Sequence, residues 1–280
     1  MKTKTPTAKQ VLKIIQDTVV GVWEPRHNDY GHRYINTITG VIQKSVTTKQ
    51  GGVLSKPHLM AWSVKMGALW LLKEDRINRI QTERFRDDMI KGMQIAHTDI
   101  RDDAGAVGTI AHDAAEAYIL EWLRTKKKPK DITSFAPEGA DPRSIASMRA
   151  VEAFFNKHTV IPLASEILVG DDRYSAGTLD FLCMMNGKLT LVDFKTSNAI
   201  DQIGYSTQIA AYKYFFEKMT GLKIKDCKIL HLSKDSDKFT VYKVNRIAHA
   251  WKAFKMICQL YDWVYGVRDK IVKDIKRIKI

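Results

Sequence analysis

Two carboxylates and one lysine stand in an order that could perform metal-assisted chemistry on a phosphodiester. Asp180 precedes Asp193 by thirteen residues, and the Asn186-Gly187 pair between them is a strong signal for a β-hairpin. Folding that hairpin would place the two acids on adjacent strands about 5 Å apart. Lys195 follows Asp193 by two residues, so both side chains point to the same face of a strand. The pattern predicts a carboxylate pair with an ammonium group beside it.

This trio suits a hard divalent cation. Carboxylate oxygens are preferred ligands of Mg²⁺ and Mn²⁺, which also bridge to phosphate oxygens. Lys195 could then hold the scissile phosphate, orient or help deprotonate the attacking water, and offset developing charge. The plainer alternative is a solvated salt-bridge set on an exposed sheet. The nearly continuous apolar residues around Asp193 argue against it, because they indicate a strand buried on both faces, where a charge needs a partner or a metal.

Three further side chains could join this chemistry. His112 lies in a helical pattern, although a lone histidine there is more often a core or surface residue than a ligand. Gln208 and Tyr212 are four residues apart, which puts them on one face of a predicted helix. Taken singly, both would be ordinary residues of an amphipathic helix.

Other polar residues near the trio could have either a functional or a structural role. Glu166, on the strand before Asp180, is equally well explained as an edge-strand charge facing solvent. Thr196 and Ser197 directly follow Lys195. They could donate hydrogen bonds to a phosphate, or they could cap the chain as it leaves the strand.

The elements that must position these residues form an α/β pattern. A helix over residues 142–157 precedes three strands, at 163–169, 174–185 and 188–195. A helix over 203–219, ended by Gly221, leads to two strands at 226–232 and 238–244 and a last helix over 245–265. The order predicts an α/β fold in which a central mixed β-sheet is flanked by helices.

The first hundred residues are predicted to elaborate this core. They contain a hairpin over 34–42, a loop at Gly51-Gly52, a mostly buried helix over 58–72 and a more polar helix over 77–96. Asp102 and Asp103 are expected to precede a third helix that ends near Leu123. No linker rich in Gly, Pro or Ser divides the chain, so we expect a single domain. Residues 1–105 would be the N-terminal hairpin and helical elaboration, 106–244 the core, and 245–280 a C-terminal helix and basic tail.

Four motifs, taken together and in order, resemble a known family. Gly177-Thr178-Leu179-Asp180 followed by Val192-Asp193-Phe194-Lys195-Thr196 resembles the core of the PD-(D/E)XK nuclease superfamily, in particular its RecB-like branch of phage exonucleases and the mitochondrial genome maintenance exonuclease. Gln208-Ile209-Ala210-Ala211-Tyr212 is similar to the Gln-x-x-x-Tyr helix motif of that branch, and Gly108-Thr109-Ile110-Ala111-His112 resembles its Gly-x-x-x-His motif. The resemblance covers most of the chain.

This resemblance implies a restriction-endonuclease-like core and a role for each residue. Asp180 and Asp193 would hold Mg²⁺ or Mn²⁺, with the Phe194 backbone carbonyl and His112 as further ligands. Lys195 would assist the water, and Glu166 would support the metal or bind a water beside it. Gln208 and Tyr212 would orient the substrate. In some relatives N-terminal helices arch over the active site, and residues 55–105 are the candidate here.

Composition narrows the class of protein. Lys and Arg number 45 against 31 Asp and Glu, and the net charge of +14 favours nucleic acid as partner, with an anionic membrane surface second. The three cysteines form no Cys-x-x-Cys pair and do not match the four-cysteine iron-sulfur subgroup of the family, so we expect no cluster. Few cysteines, a polar N-terminus and the absence of a long apolar run argue for a cytoplasmic protein rather than a secreted or membrane protein.

The expected function is a metal-dependent DNA exonuclease that serves recombination, replication or DNA processing, encoded by a phage or prophage and acting in the host cytoplasm. DNA, single-stranded or as a duplex with ends, is the expected substrate, and recombination or replication proteins are possible partners. The alternatives are a structure-specific or restriction-like endonuclease on the same core and a non-catalytic DNA-binding module. The sequence leaves open the direction of digestion, the preference for DNA over RNA and for single over double strands, and the oligomeric state.

Overall fold

A computed structural model describes residues 6–28, 31–73, 76 and 83–266. It shows a mixed α/β fold that contains a five-stranded mixed sheet, a three-stranded antiparallel sheet and helices. The chain divides into two compact units, one made of Met1–Leu54 with Ala111–Ile280 and the other of Ser55–Ile110. All candidate site residues belong to the first unit.

The five-stranded sheet has its strands in chain order. They are β4 (Val160–Asp171), β5 (Ser175–Met185), β6 (Lys188–Lys195), β7 (Asp226–Leu232) and β8 (Phe239–Lys243). All neighbours are antiparallel except β6 and β7, which are parallel and joined through α6 (Gln202–Thr220). A parallel pair requires such a crossover. The predicted strands and α6 are confirmed, and α6 ends at Gly221, whose φ of 71° is left-handed, as predicted.

Helices cover both faces of this sheet. One face packs against α1 (Ala8–Thr18), α6 and α7 (Ile247–Gly266), with Leu191 and Phe215 in the shared core. The other packs against α5 (Pro142–Lys157), the end of α4 (Glu83–Thr125) and a short 3-10 helix (Ile132–Phe135), with Val192 and Phe154 in the core. Because β5 and β6 are covered on both sides, their sequences are nearly continuously apolar.

The three-stranded sheet is made of β1 (Trp23–Asn28), β2 (Gly31–Asn36) and β3 (Ile42–Lys44). The β2–β3 hairpin confirms the prediction over residues 34–42, whereas β1 was not predicted. Side chains join this sheet to the large one: the Asn36 amide donates to Asp172 at 2.7 Å, and the Ser175 hydroxyl donates to the Lys44 carbonyl at 2.7 Å.

The predicted loop at Gly51-Gly52 is wrong, because both glycines lie in α2 (Val46–Val53). Ser45 caps this helix: its hydroxyl accepts a hydrogen bond from the Thr48 N–H at 2.9 Å. A serine cap stabilises a helix start by about 1 kcal/mol. Val46 and Gln50 are buried, so tertiary packing outweighs the low helix propensity of the glycines.

Two predictions for the second unit also need correction. The helix over 58–72 exists as α3 (Pro57–Leu71), but among its residues only Gly67 is buried, and Met60 and Val64 are 70% and 73% exposed. The predicted helix over 77–96 and the predicted helix after Asp103 are parts of one helix, α4, which has 43 residues. Residues 77–82 lie outside the part of the chain that the structure describes. The preference of acids for a helix start is worth only about 0.3–1 kcal/mol, too little to begin a new helix.

Two remaining features concern the chain as a whole. Among the described residues, no helix is both long enough and apolar enough to cross a membrane. The predicted basic tail from residue 268 lies outside the part of the chain that the structure describes.

Candidate active site

The β5–β6 hairpin brings the two predicted acids together. The paired residues run to Phe181 and Val192, and Asp180 and Asp193 are the next residues along the two strands. The Asp180 carboxylate accepts a hydrogen bond from the Phe194 N–H at 2.8 Å. Asp193 Oδ2 lies 2.5 Å from Lys195 Nζ. The structure thus joins the three residues of the predicted trio.

Asp193 is a buried carboxylate with the Lys195 ammonium as a close partner. Its side chain is 0% exposed, and among the described residues neither oxygen has a hydrogen-bond partner with good geometry. The ion pair with Lys195 therefore provides charge without a well-directed hydrogen bond. Burial raises the pKa of Asp193 to about 6, although Lys195 opposes the shift. An unsatisfied buried carboxylate is costly, and a cation bound beside it would provide the missing partner.

His112 reaches the same place from α4. Its ring meets the Phe194 ring edge-on with the centroids 5.9 Å apart, and its Nδ1 lies 3.9 Å from Asp180 Oδ2. Burial, assisted by the charge of Lys195, lowers the pKa of His112 to about 4. The imidazole is therefore neutral at pH 7, which is the form that binds metals.

Glu166 lies on β4, the edge strand of the sheet, and its partly buried carboxylate approaches the other candidate ligands. His112, Glu166 and Asp180 each offer one ligand atom, and these atoms lie within 4.8 Å of one another. Glu166 has a φ of +49° in the middle of β4, an unfavourable conformation for a residue with a Cβ. Burial and then the charge of Asp180 raise the pKa of Glu166 to about 9. The cluster of possible metal ligands is therefore His112, Glu166 and Asp180. Two of these, His112 and Asp180, were predicted as ligands; Glu166 takes the position expected for Asp193.

Lys195 remains a cation. Burial alone would lower its pKa, but Asp193 and Asp180 together raise it above the ordinary lysine value. The ammonium also lies 5.0 Å from the centre of the Tyr205 ring, where the aromatic face attracts a cation. Of the roles predicted for Lys195, stabilisation of negative charge fits this environment, whereas removal of a proton from water does not.

Gln208 and Tyr212 line the α6 side of β5. Both are buried, and the Gln208 amide donates to the Tyr212 hydroxyl at 3.1 Å. The Tyr212 ring covers Gly177, where an added Cβ would lie 2.7 Å from the ring. Burial raises the pKa of Tyr212 well above its usual value, so the phenol stays protonated. Gly177 of the Gly-Thr-Leu-Asp motif is therefore needed because any side chain there would collide with Tyr212 of the Gln-x-x-x-Tyr motif.

Ser197 serves mainly to shape the loop after β6. Its hydroxyl donates to the Ala199 carbonyl at 2.7 Å and accepts from the Tyr205 hydroxyl at 2.9 Å. This arrangement matches the capping alternative. Thr196 and Ser197 also line a cavity of about 350 Å³ at the carboxyl ends of β6 and β7, together with His231, Lys238 and Thr240.

Sequence reasoning missed two contributors to the site. Glu116 follows His112 by four residues on α4, and its charge helps to raise the pKa of Glu166. The spacing of four was the signal that could have found it. Tyr34, on β2, has its hydroxyl 3.4 Å from the Thr178 hydroxyl, two residues before Asp180. No sequence signal links Tyr34 to Thr178, because the contact joins positions 144 residues apart.

Comparisons with known proteins add little to this geometry. No family model matches the chain, and no curated protein matches it. A structure described as the crystal structure of SSO0001 shares 14% identity with it over 54% of this chain and 74% of the other, with a TM-score of 0.26. A TM-score of this size carries no argument about fold or function.

Proposed function

We propose that this protein is a Mg²⁺- or Mn²⁺-dependent deoxyribonuclease with a restriction-endonuclease-like core of the RecB-like PD-(D/E)XK type, and that it acts as an exonuclease. The observation that carries the proposal is Asp193, a fully buried carboxylate that feels the charge of Asp180 and, among the described residues, has the ammonium of Lys195 at 2.5 Å but no hydrogen-bond partner of good geometry. A purely structural salt bridge would gain little from burying an acid in this state.

The residues present fit a hard divalent cation. Asp180 and Asp193 provide carboxylate oxygens, His112 provides a neutral imidazole, and the Phe194 carbonyl directly follows Asp193 in the sequence. Glu166 is a further candidate ligand because its carboxylate approaches Asp180 and His112. Mg²⁺ or Mn²⁺ bound there would polarise the phosphodiester and activate the attacking water.

The protein's own groups contribute positioning and charge. Lys195 keeps its proton and can stabilise the negative charge that builds up on the phosphate in the transition state. The Phe194 N–H holds the Asp180 carboxylate in place. Tyr212 fixes α6 against β5 through its contact with Gly177. These contacts favour a rigid site, which catalysis by charge stabilisation requires.

Two features of the whole chain support a nucleic-acid substrate. The net charge is +14. The Asp and Asp-x-Lys motifs lie on the adjacent strands β5 and β6 of a mixed sheet, and the crossover helix α6 leads to the parallel strand β7. The arch over residues 55–105, the role in recombination or replication, and the cytoplasmic location stay predictions.

The test is cleavage of end-labelled linear and closed circular DNA, single-stranded and duplex, with Mg²⁺, Mn²⁺ or EDTA. Asp193→Asn should abolish cleavage. Asp171→Asn is a matched control, because Asp171 is also buried, with 1% of its side chain exposed, and paired with a lysine, Lys218, at 2.5 Å. The control should lose stability without losing metal-dependent activity.

The outcomes distinguish an exonuclease, an endonuclease and a DNA-binding module. Loss of linear DNA alone, dependent on metal and on Asp193, supports an exonuclease. Cleavage of circles would make the protein an endonuclease on the same site. Absence of cleavage of every substrate, with DNA bound equally by the wild type and Asp193→Asn, would replace the enzyme with a binding module.

A further inference from the structure

The cavity of about 350 Å³ at the carboxyl ends of β6 and β7 lies beside the candidate active site. Because these two strands are parallel, both end at the same edge of the sheet, and the antiparallel β8 begins there. Ligands of α/β proteins commonly bind in crevices outside the carboxyl ends of parallel strands. The volume also falls within the range of about 300–1,000 Å³ that is usual for ligand pockets. We call this cavity the strand-end cavity.

Strand register places the strand-end cavity next to Lys195. His231 pairs with Lys195 across β6 and β7, and Thr240 pairs with His231 across β7 and β8. Paired residues of neighbouring strands point to the same face of a sheet, and Asp193 shares that face because it precedes Lys195 by two residues. Strands are about 4.8 Å apart, so the backbone at Thr240 lies about 10 Å from that at Lys195. A nucleic-acid strand whose scissile phosphate lies at Lys195 can therefore reach the cavity.

Hydrogen bonds hold the walls of the strand-end cavity in place. His231 Nε2 lies 2.5 Å from the Ser197 carbonyl oxygen, and this nitrogen carries the proton because a carbonyl oxygen can only accept. The Tyr205 hydroxyl, on α6, donates to the Ser197 hydroxyl at 2.9 Å. The turn between β7 and β8 is closed by a hydrogen bond from the Ser233 N–H to the Lys238 carbonyl at 3.1 Å. The cavity is therefore preformed, which lowers the cost of binding.

Four side chains in the lining have hydrogen-bonding groups that other described residues do not use. They are Thr196, Asn198, Lys238 and Thr240. Thr196 is partly buried, and the other three are exposed. Two hydroxyls, an amide and an ammonium group can all donate hydrogen bonds. Donors of this kind, with one positive charge among them, suit the oxygens of a phosphate group.

Two other charged residues line the strand-end cavity. Lys234 interacts with other groups of the protein, so Lys238 is the cation that remains available to a ligand. The exposed Asp235 carboxylate would repel an anion, although solvent weakens the charge of an exposed group. Removal of this carboxylate should therefore strengthen the binding of an anion, whereas removal of the Lys238 charge should weaken it.

We propose that the strand-end cavity binds a phosphate group of the nucleic-acid strand, next to the phosphodiester that lies at Lys195. Lys238 provides the charged contact, and Thr196, Asn198 and Thr240 donate hydrogen bonds. This inference rests on the proposed function, because it extends the substrate strand from the candidate active site. A contact away from the reacting atoms binds substrate and transition state alike, so it affects KM more than kcat.

Titration of thymidine 5′-monophosphate into the full-length Asp193→Asn protein, followed by NMR in EDTA, tests the site directly. The backbone amides of Lys238 and Thr240 and the side-chain amide of Asn198 should shift. Thymidine, which has no phosphate, should not shift them. Lys238→Gln should weaken binding of the nucleotide about two- to fivefold, as expected for one exposed charge contact, and Asp235→Asn should strengthen it.

Binding of labelled oligo(dT) over a series of salt concentrations tests the contact with a longer strand. Lys238→Gln should lower the slope of log affinity against log salt by about 0.7, the contribution of one phosphate contact on a single strand. The same variant in the active protein should raise KM for cleavage more than it lowers kcat. Lys188→Gln is the matched control, because Lys188 is also exposed and lies at the start of β6, the opposite end of that strand from Lys195. The control should keep the slope of the parent protein.

The possible failures are distinguishable. Equal shifts with thymidine, or shifts that do not include Lys238 and Thr240, would overturn the inference while leaving cleavage by the wild-type protein intact. An unchanged salt slope in Lys238→Gln, or an equal decrease in Lys188→Gln, would also overturn it. If the wild type cleaves no DNA and the nucleotide still binds in the strand-end cavity, the proposed enzyme fails and the phosphate site stands.

Discussion

At the residue scale, the ion pair of Asp193 and Lys195 defines the site. Asp193 is buried, and 15% of the Lys195 side chain is exposed. A buried pair adds little to stability, since desolvation of both charges offsets their attraction. The proposed nuclease function would explain the pair, because it needs a metal-binding carboxylate and a fixed positive charge at one point.

Lys195→Gln should lower the turnover number by about 10²–10³-fold, the usual loss when one preorganised electrostatic group is removed from an active site. Lys228→Gln is the matched control: Lys228 lies on the neighbouring strand, is also 15% exposed, and pairs with Asp226 at 2.9 Å. The control should keep its activity. Steady-state cleavage rates measure both, and equal losses in the two variants would assign Lys195 a structural role.

The raised pKa of Glu166 predicts how stability depends on pH in the absence of metal. Burial and Asp180 raise this pKa from 4.5 to about 9, so the folded protein holds a proton that the unfolded chain releases. Stability from this group is complete below about pH 4.5 and is lost as the pH rises toward about 9. The melting temperature in EDTA should therefore fall between about pH 6 and about pH 9.

Glu166→Gln should flatten this decrease, because the amide does not titrate. Glu121→Gln is the control, since a hydrogen bond from Arg124 lowers the pKa of Glu121, and that group stays charged throughout this range. Mn²⁺ should raise the melting temperature more at the alkaline end, where the carboxylates are ionised. A decrease that persists unchanged in Glu166→Gln would assign it to another group.

At the element scale, α2 shows how tertiary contacts override local propensity. Its two adjacent glycines resemble a loop in sequence, yet neither has a positive φ. Gly52 fits against the aromatic rings of α7, and a Cβ there would lie 2.7 Å from the Tyr261 ring. Gly51 has nothing within 4 Å of the position of a Cβ. Gly52 therefore allows the close contact between α2 and α7, whereas Gly51 has no role in that contact.

These neighbouring glycines predict opposite effects. Gly51→Ala should raise the free energy of unfolding by about 0.4–1 kcal/mol, because alanine restricts the unfolded chain and fits the helix. Gly52→Ala should lower it by about 1–3 kcal/mol, because the methyl group overpacks against Tyr261. Urea denaturation of both variants measures the difference. Destabilisation by both would indicate that α2 is not helical in solution.

At the scale of the whole molecule, the large sheet is covered by helices on both faces, and this buries the three free cysteines, Cys183, Cys227 and Cys258. Burial raises the pKa of Cys227 and of Cys258 to about 12. Thiolates are the reactive form, so these thiols should be inert in the folded protein.

A thiol-reactive dye should therefore label the native protein only slowly, with all three cysteines reacting after unfolding in urea. Labelling should follow global unfolding, because the cysteines lie in the two cores. Measurement of absorbance against time provides the rate. Rapid labelling of one cysteine under native conditions would show that one core layer opens by itself.

The sequence by itself determined the local elements and the pairing of near neighbours. The Asn186-Gly187 turn set the β5–β6 register and so brought Asp180 to Asp193 and Lys195, and Gly221 ended α6 where predicted. These outcomes depend on φ preferences and on the period of two in a strand, which act over a few residues. They explain why strands, the crossover helix and the acid pair were predictable.

Only the tertiary structure decided which distant residues joined that pair and which were buried. Glu166 entered the site because β4 pairs with β5, and Tyr34 reached Thr178 because the small sheet packs on the large one. The exposed apolar residues of α3 and the continuous α4 likewise depend on what packs around them, which no local pattern records. Burial, unsatisfied carboxylates and shifted pKa values are properties of that packing, so they follow from the fold and not from any short segment of sequence.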